Sequence, residues 1–456
     1  MYFDAVKTNL GLVVSGGYAR MARRVGIVVS SKTDPIRDFA LAVDLLQRVS
    51  SEWGAARTLY ASVEMELIYS DSEPDPASYS PKVQEVGSTL AALLPAVRNL
   101  MILDDSQSAA INALYRRLVG IYAGQLRRFD GPYSDIVPDD AAFRQLRRLD
   151  HRYGYSSVSL LPRVCPASLE EVTMHTLPVD HMWPALGVKD TARAIDFPLL
   201  RSLNLMYAFS SNEAQTQGWQ LRALRFPALE RLRLVCNYKR CPFVEQAEFP
   251  PELAMLDVTA RSEVLEHIAS KPVAVTKCIV LNVVSSESDQ GVLAHVGRIL
   301  EKARDGAEVA LEIKSRSLRV PPESIACAAL TSLRVEAPMT ADAMLVLIQR
   351  LPRLVDLALG CVTLDNARLD VLIPGPGDPA PAPTSTALRR ISVWLDGGDR
   401  MPEKSALVAK YLLLTVPTLV ALISPITPWA PMVQFVGEYS ARYPHLAQVN
   451  IVAHGV

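Results

Sequence analysis

Apolar residues return along this chain in one short phrase. An aromatic or aliphatic residue, usually followed by Pro, precedes Leu-x-x-Leu-x-Leu. The strongest copies run from Phe197-Pro198 to Leu205, from Phe226-Pro227 to Leu234 and from Leu351-Pro352 to Leu359. A shorter one starts at Val416-Pro417 and carries Leu419 and Leu422. Alternation of Leu with a polar residue puts both Leu side chains on one face of a short strand, and the Leu three residues earlier belongs to the turn that feeds it.

Fainter copies start at Trp53 (Leu59, Ala61), Leu94 (Val97, Leu100, Ile102), Ala123 (Leu126, Phe129) and Phe143 (Leu146, Leu149). Others start at Pro166 (Leu169, Val172, Met174), Pro250 (Leu253, Leu256, Val258) and Pro272 (Val275, Cys278, Val280). The series continues at Cys327 (Leu330, Leu333, Val335), Ser385 (Leu388, Ile391, Val393) and Tyr443-Pro444 (Leu446, Val449, Ile451). The faintest of all carries only Val309, Leu311 and Ile313. The spacing averages about 28 residues, which falls in the range of repeat arrays that stack one strand per repeat.

Between phrases the period lengthens to that of a helix. Asp34 reads as an N-cap and Pro35 as a first helical residue, with Phe39, Val43 and Leu46 on one stripe. Ile111, Leu114, Leu118 and Ile121 repeat that spacing, as do Val292, Val296, Ile299 and Ala303, with Gly306 as the expected C-terminal cap. Thr340 is expected to cap a helix through Leu345, Leu347 and Ile348. Two polar, Pro-rich stretches, 70–81 and 374–386, are expected as loop excursions. The organisation expected is an N-terminal arm or cap over 1–20 and one repeat array over 21–456.

These motifs resemble the leucine-rich-repeat family, in particular its irregular intracellular members with long helical repeats. The Phe-Pro-x-Leu-x-x-Leu-x-Leu form is similar to that of fungal F-box/leucine-rich-repeat proteins. The resemblance implies an α/β solenoid, a horseshoe with a parallel sheet on its concave side and helices on its convex side. It also implies protein binding through the concave face, or alternatively substrate recognition within an SCF-type ubiquitin ligase. The family's Asn or Cys after the last Leu is mostly missing. An F-box is not evident either, since Met1 to Arg24 is too short to hold one.

Composition narrows the chemistry. Lys plus Arg is 47 and Asp plus Glu is 48, a formal net charge of -1, which argues against bulk attraction to nucleic acid or an anionic membrane. The uncharged run Tyr411 to Val433 is long enough to span a bilayer, but Pro417, Pro425, Pro428 and Pro431 break it. Six cysteines in 456 residues, four of them in or beside apolar runs, read as reduced thiols of a cytoplasmic or nuclear protein. Cys236 and Cys241 read as one core and one incidental thiol.

No catalytic constellation, cofactor motif or metal site stands out. His175 and His181 lack tight helical spacing or further ligands, and neither Gly-rich turn matches a phosphate loop. The pairs Arg116-Arg117, Arg127-Arg128, Arg147-Arg148 and Lys239-Arg240 read as solvated faces. The expected function is therefore a non-catalytic scaffold. Its partner is expected to be another protein, met by residues that alternate with the core Leu positions: Arg148, Glu171, Asn204, Arg231, Arg233, Arg334, Asp356 and Arg390.

Overall fold

The structure is a computed structural model. It describes residues 22–31, 34–49, 53–65, 76–103, 108–131, 136–138, 142–151, 166–175, 195–207, 224–237, 239, 241–284, 291–315, 318, 320–321, 325, 327–363, 382–395, 402–423 and 429–452. The expected arm over 1–20 and residues 374–381 of the second loop excursion lie outside them.

The main strands, in chain order, are β1 (Arg24–Ser31), β2 (Thr58–Met65), β3 (Asn99–Ile102), β4 (Arg128–Gly131), β5 (Arg148–His151), β6 (Glu171–His175), β7 (Ser202–Tyr207) and β8 (Arg231–Cys236). They continue as β9 (Glu252–Ala260), β10 (Ala274–Val284), β11 (Glu308–Lys314), β12 (Leu330–Thr340), β13 (Asp356–Thr363), β14 (Arg390–Leu395), β15 (Ala421–Ile423) and β16 (Asn450–Val452). The helices are α1 (Pro35–Val49), α2 (Pro76–Leu93), α3 (Ala109–Tyr122), α4 (Pro242–Gln246), α5 (Ser262–Ser270), α6 (Gly291–Leu300), α7 (Ala341–Arg350), α8 (Pro402–Thr415) and α9 (Trp429–Tyr439).

The chain divides into two compact units, Met1–Leu229 with Gln246–Glu248 and Glu230–Glu245 with Phe249–Val456. In the first, β1 to β7 lie side by side in chain order, every resolved pairing parallel. A small parallel sheet in the order Ala247–Glu248, Leu224–Arg225, Ile195–Asp196 accompanies them. In the second, β8 to β16 follow the same rule. Parallel neighbours need a crossover, and among the described residues α1, α3, α5, α6 and α7 lie between successive strands and supply it.

The phrase itself folds as a turn and a strand. Its leading residue accepts a backbone hydrogen bond from the Leu three positions on: Leu200 N–H to Phe197 (3.3 Å), Leu229 N–H to Phe226 (3.2 Å), Leu354 N–H to Leu351 (3.1 Å) and Leu419 N–H to Val416 (3.1 Å). Pro in the second position suits such a turn because its ring already holds φ where the turn needs it. The leading aromatics stack, Phe197 on Phe226 at 5.2 Å between ring centroids. The two Leu residues that follow in the strand are buried, as at Leu203/Leu205, Leu232/Leu234 and Leu357/Leu359. The weak copy at Val309, Leu311 and Ile313 is fully buried too.

Several local expectations hold. Asp34 Oδ1 accepts the Arg37 N–H at 2.9 Å, and Thr340 Oγ1 accepts the Ala343 N–H at 3.2 Å, so both helices have side-chain N-caps. Others are corrected. In β10 the core residues are Ile279, Leu281 and Val283, not Cys278 and Val280, which are half-buried. An extra residue enters after Val275, where the β9–β10 register shifts, and one inserted residue turns every later side chain over. The stretch 70–81 is not wholly loop, since α2 begins at Pro76. Gly306 does not cap α6, which ends at Leu300; it sits with φ of 87° in a turn closed by Ala307 N–H on the Arg304 carbonyl. Strand β1 carries the alternation Val25, Ile27, Val29 with no phrase before it and extends the sheet by one strand.

The end of the second Pro-rich stretch is anchored. Thr384 N–H donates to the Thr415 carbonyl at 2.8 Å, and Ser385 Oγ accepts the N–H of Leu388 at 3.2 Å. The apolar run that follows divides between α8, a turn, β15 and α9. Among the described residues no helix is long and apolar enough to cross a membrane.

Candidate partner-binding face

Along each strand, buried side chains alternate with side chains on the opposite face, as in β8, where Arg231 and Arg233 are exposed and Leu232 and Leu234 buried. In parallel pairing, residues in register form rows that cross the sheet about 4.8 Å per step. All eight residues expected to meet a partner belong to such rows. Arg148, Glu171 and Asn204 lie in the first unit and Arg231, Arg233, Arg334, Asp356 and Arg390 in the second.

Most of these side chains are engaged with one another or with a cross-strand acid. Arg148 and Glu171 are register partners and form an ion pair. Asp356 and Arg390 do the same, Arg390 Nη2 lying 2.7 Å from Asp356 Oδ2. Arg233 Nε sits 3.1 Å from Asp257 Oδ2, and Arg334 Nε 3.2 Å from Glu312 Oε1, again in register. Asn204 pairs in register with Thr173, and its Oδ1 is buried without a hydrogen bond among the described residues.

Asp257 and Glu312 were missing from the expected set. Both could have been read from the phrase: Asp257 stands between Leu256 and Val258, and Glu312 between Leu311 and Ile313. Burial pushes the Asp257 carboxyl above its ordinary 3.8, and the Arg233 guanidinium opposes that rise in part.

One row is of a different kind. It runs along the leading edge of the first unit's sheet, at the residue just before each strand's paired register. A chain of backbone hydrogen bonds links Arg23, Arg57, Arg98, Arg127, Arg147, Glu170 and Arg201, each donating its N–H to the carbonyl of the one before, at 2.6 to 2.9 Å. The next row holds Arg24, Thr58, Asn99, Arg128, Arg148, Glu171 and Ser202. A cleft of about 390 Å³ lies over the second row; its lining includes Arg24, Tyr60 and Met101, together with Arg127, Arg147 and Glu170 of the edge row. The pairs Arg127-Arg128 and Arg147-Arg148, read from sequence as solvated faces, are two steps of this double row. The single arginines of the other phrases had nothing in sequence to group them until register aligned them.

Cys236 and Cys241 are both buried, which replaces the reading of one core and one incidental thiol. Burial and contact with Cys236 push the Cys241 thiol well above its usual range, so Cys241 stays protonated and inert at neutral pH. Among the described residues no group of three or more His, Cys, Asp or Glu is placed to hold a metal ion. His181 lies outside the described residues. Compared with known proteins, the chain matches no family model and no curated protein.

Proposed function

We propose that each unit is an array of the leucine-rich-repeat, solenoid type, and that the chain is a non-catalytic scaffold holding another protein against the concave, strand-lined face. The supporting sequence of turn, strand and crossover recurs in both units with strands parallel and in chain order. The single observation that carries the reading is the alternation itself. One face of the strands is apolar and buried, while the other presents charged residues in register on several neighbouring strands, as in Asp356 beside Arg390 and Arg148 beside Glu171. A face of that kind offers a partner many polar anchors on a rigid support.

The test is affinity capture from cell extract with the wild type and with Arg231→Glu/Arg233→Glu, both checked for unchanged thermal unfolding. The expected result is a partner retained by the wild type and depleted at least tenfold with the variant. Equal recovery by both proteins overturns the assignment of the face.

A further inference from the structure

We infer that the arginine row at the leading edge of the first unit's sheet is a docking track for an extended, Asp/Glu-rich segment of a partner protein. This deepens the protein-binding reading and rests on it.

The row is not something the fold requires. In the second unit, the chain of backbone hydrogen bonds at the corresponding edge passes through Thr331, Val355, Arg389 and Val420. Only one of those four is basic. Like charges on neighbouring strands oppose folding, and steps of about 4.8 Å lie well inside the screening length of about 8 Å at physiological salt.

That repulsion is only partly relieved within the molecule. Arg147 lies 3.1 Å from Glu170, and Arg57 is turned onto the carbonyls of Gly54 and Ala56. Arg23, Arg24, Arg98 and Arg127 have no side-chain hydrogen bond or ion pair among the described residues. Arg98 and Arg127 are exposed neighbours, joined by the Arg127 N–H on the Arg98 carbonyl at 2.6 Å. An anionic ligand laid along them would meet exposed guanidinium groups that no acid among the described residues engages.

The geometry favours a peptide over a nucleic acid. The seven-residue row spans roughly 29 Å, the length of about nine residues of extended chain. Guanidinium groups take carboxylates in two-pronged contacts. Single-stranded nucleic acid wants aromatic platforms, and among the described residues the cleft offers only Tyr60, half-buried. One step before the far end, Glu170 and Glu171 reverse the sign. A phosphodiester backbone meets repulsion there, whereas a peptide can place a basic or neutral residue at that point and so fix its direction.

The experiment uses the full chain and a fluorescein-labelled ten-residue peptide of alternating Glu and Ser, read by anisotropy at low and high salt. A Ser/Lys peptide and a twelve-nucleotide oligothymidylate are the comparators. The expected result is binding of the Glu/Ser peptide alone, weakened tenfold or more by Arg98→Glu/Arg127→Glu and by high salt, and unchanged in Arg350→Glu on α7. Arg98→Gln/Arg127→Gln, expected to weaken binding about fivefold, serves if the reversed variant does not fold.

Absence of Glu/Ser peptide binding, equal binding by the Arg98/Arg127 variants, or tighter binding of the oligonucleotide would overturn the inference. If peptide binding fails while Arg231→Glu/Arg233→Glu still loses a captured partner, the acidic track is wrong and the protein-binding reading stands.

Discussion

Arg390 holds Asp356 across the β13–β14 pair with both arms of its guanidinium, Nη2 donating to Oδ2 at 2.7 Å and Nε to Oδ1. The two are direct register partners on the solvent side of the sheet. Exposed pairs of this kind add little to stability because water screens them and two side chains lose freedom. Exchanging the partners, Asp356→Arg with Arg390→Asp, keeps the pair and reverses the pattern a visitor meets. The expected outcome is a melting temperature within about 2 °C of wild type, together with altered partner capture. A large drop in melting temperature would show that the pair is structural.

The corrected register of β10 makes a sharper claim about stability. Ile279 is fully buried and its neighbour Val280 is half-buried. Ile279→Ala should therefore destabilise the protein by about 2–5 kcal/mol, through lost burial plus the cavity left behind. Val280→Ala should cost less than about 1.5 kcal/mol. Denaturant unfolding of both variants decides the matter, and a larger loss for Val280→Ala would restore the register expected from sequence.

Strand positions, helix stripes and both side-chain caps were legible because they depend on local period and on residues within one turn. The outward rows were half-legible: each phrase names its outward residues, yet which of them touch is set by pairing between phrases 20 to 40 residues apart. Arg233 gives no sign of Asp257, nor Arg334 of Glu312, until the strands are in register. The slip in β10 was half-hidden. Cys278 to Leu281 is apolar on both phases of the alternation, and the sign in sequence is Asn282, which shares the outward phase of Cys278 and Val280. The shift against β9 agrees with that phase.

Thr340 ends β12 and begins α7, and its hydroxyl takes the Ala343 N–H. Removing that acceptor leaves a donor of the first turn to water alone. Thr340→Ala should lower unfolding free energy by about 1 kcal/mol, and Thr340→Asp should recover most of it, since Asp accepts the same bond and suits the positive end of the helix. A loss that Asp fails to restore would point to packing instead of capping.

Asp257 supplies a pH signature. Its carboxyl is raised above the ordinary 3.8 by burial, with Arg233 pulling the other way. A carboxyl raised on folding binds its proton more tightly in the folded state. Its contribution is fully present below the unfolded value and is lost as pH rises through the folded one. Asn at this position does not titrate. The stability of the wild type relative to Asp257→Asn should therefore decline as pH rises past the ordinary carboxyl value of 3.8 and level off once pH has passed the raised folded value. A difference that grows with pH would mean that Arg233 outweighs burial and holds the carboxyl down.

Gly360 tests the backbone itself. It lies in β13 opposite the register shift in β12, and a Cβ built there would stand 2.9 Å from the Glu336 Cα. That neighbour is main chain and cannot swing aside as a long side chain would. Gly360→Ala should push the two strands apart at the point where the shifted register brings them together, at a cost of about 1–3 kcal/mol. Gly26→Ala, on an outward position of β1 with open space around its would-be Cβ, is the matched control and should be near neutral. Equal effects at the two positions in urea unfolding would rule out close approach as the reason Gly occupies position 360.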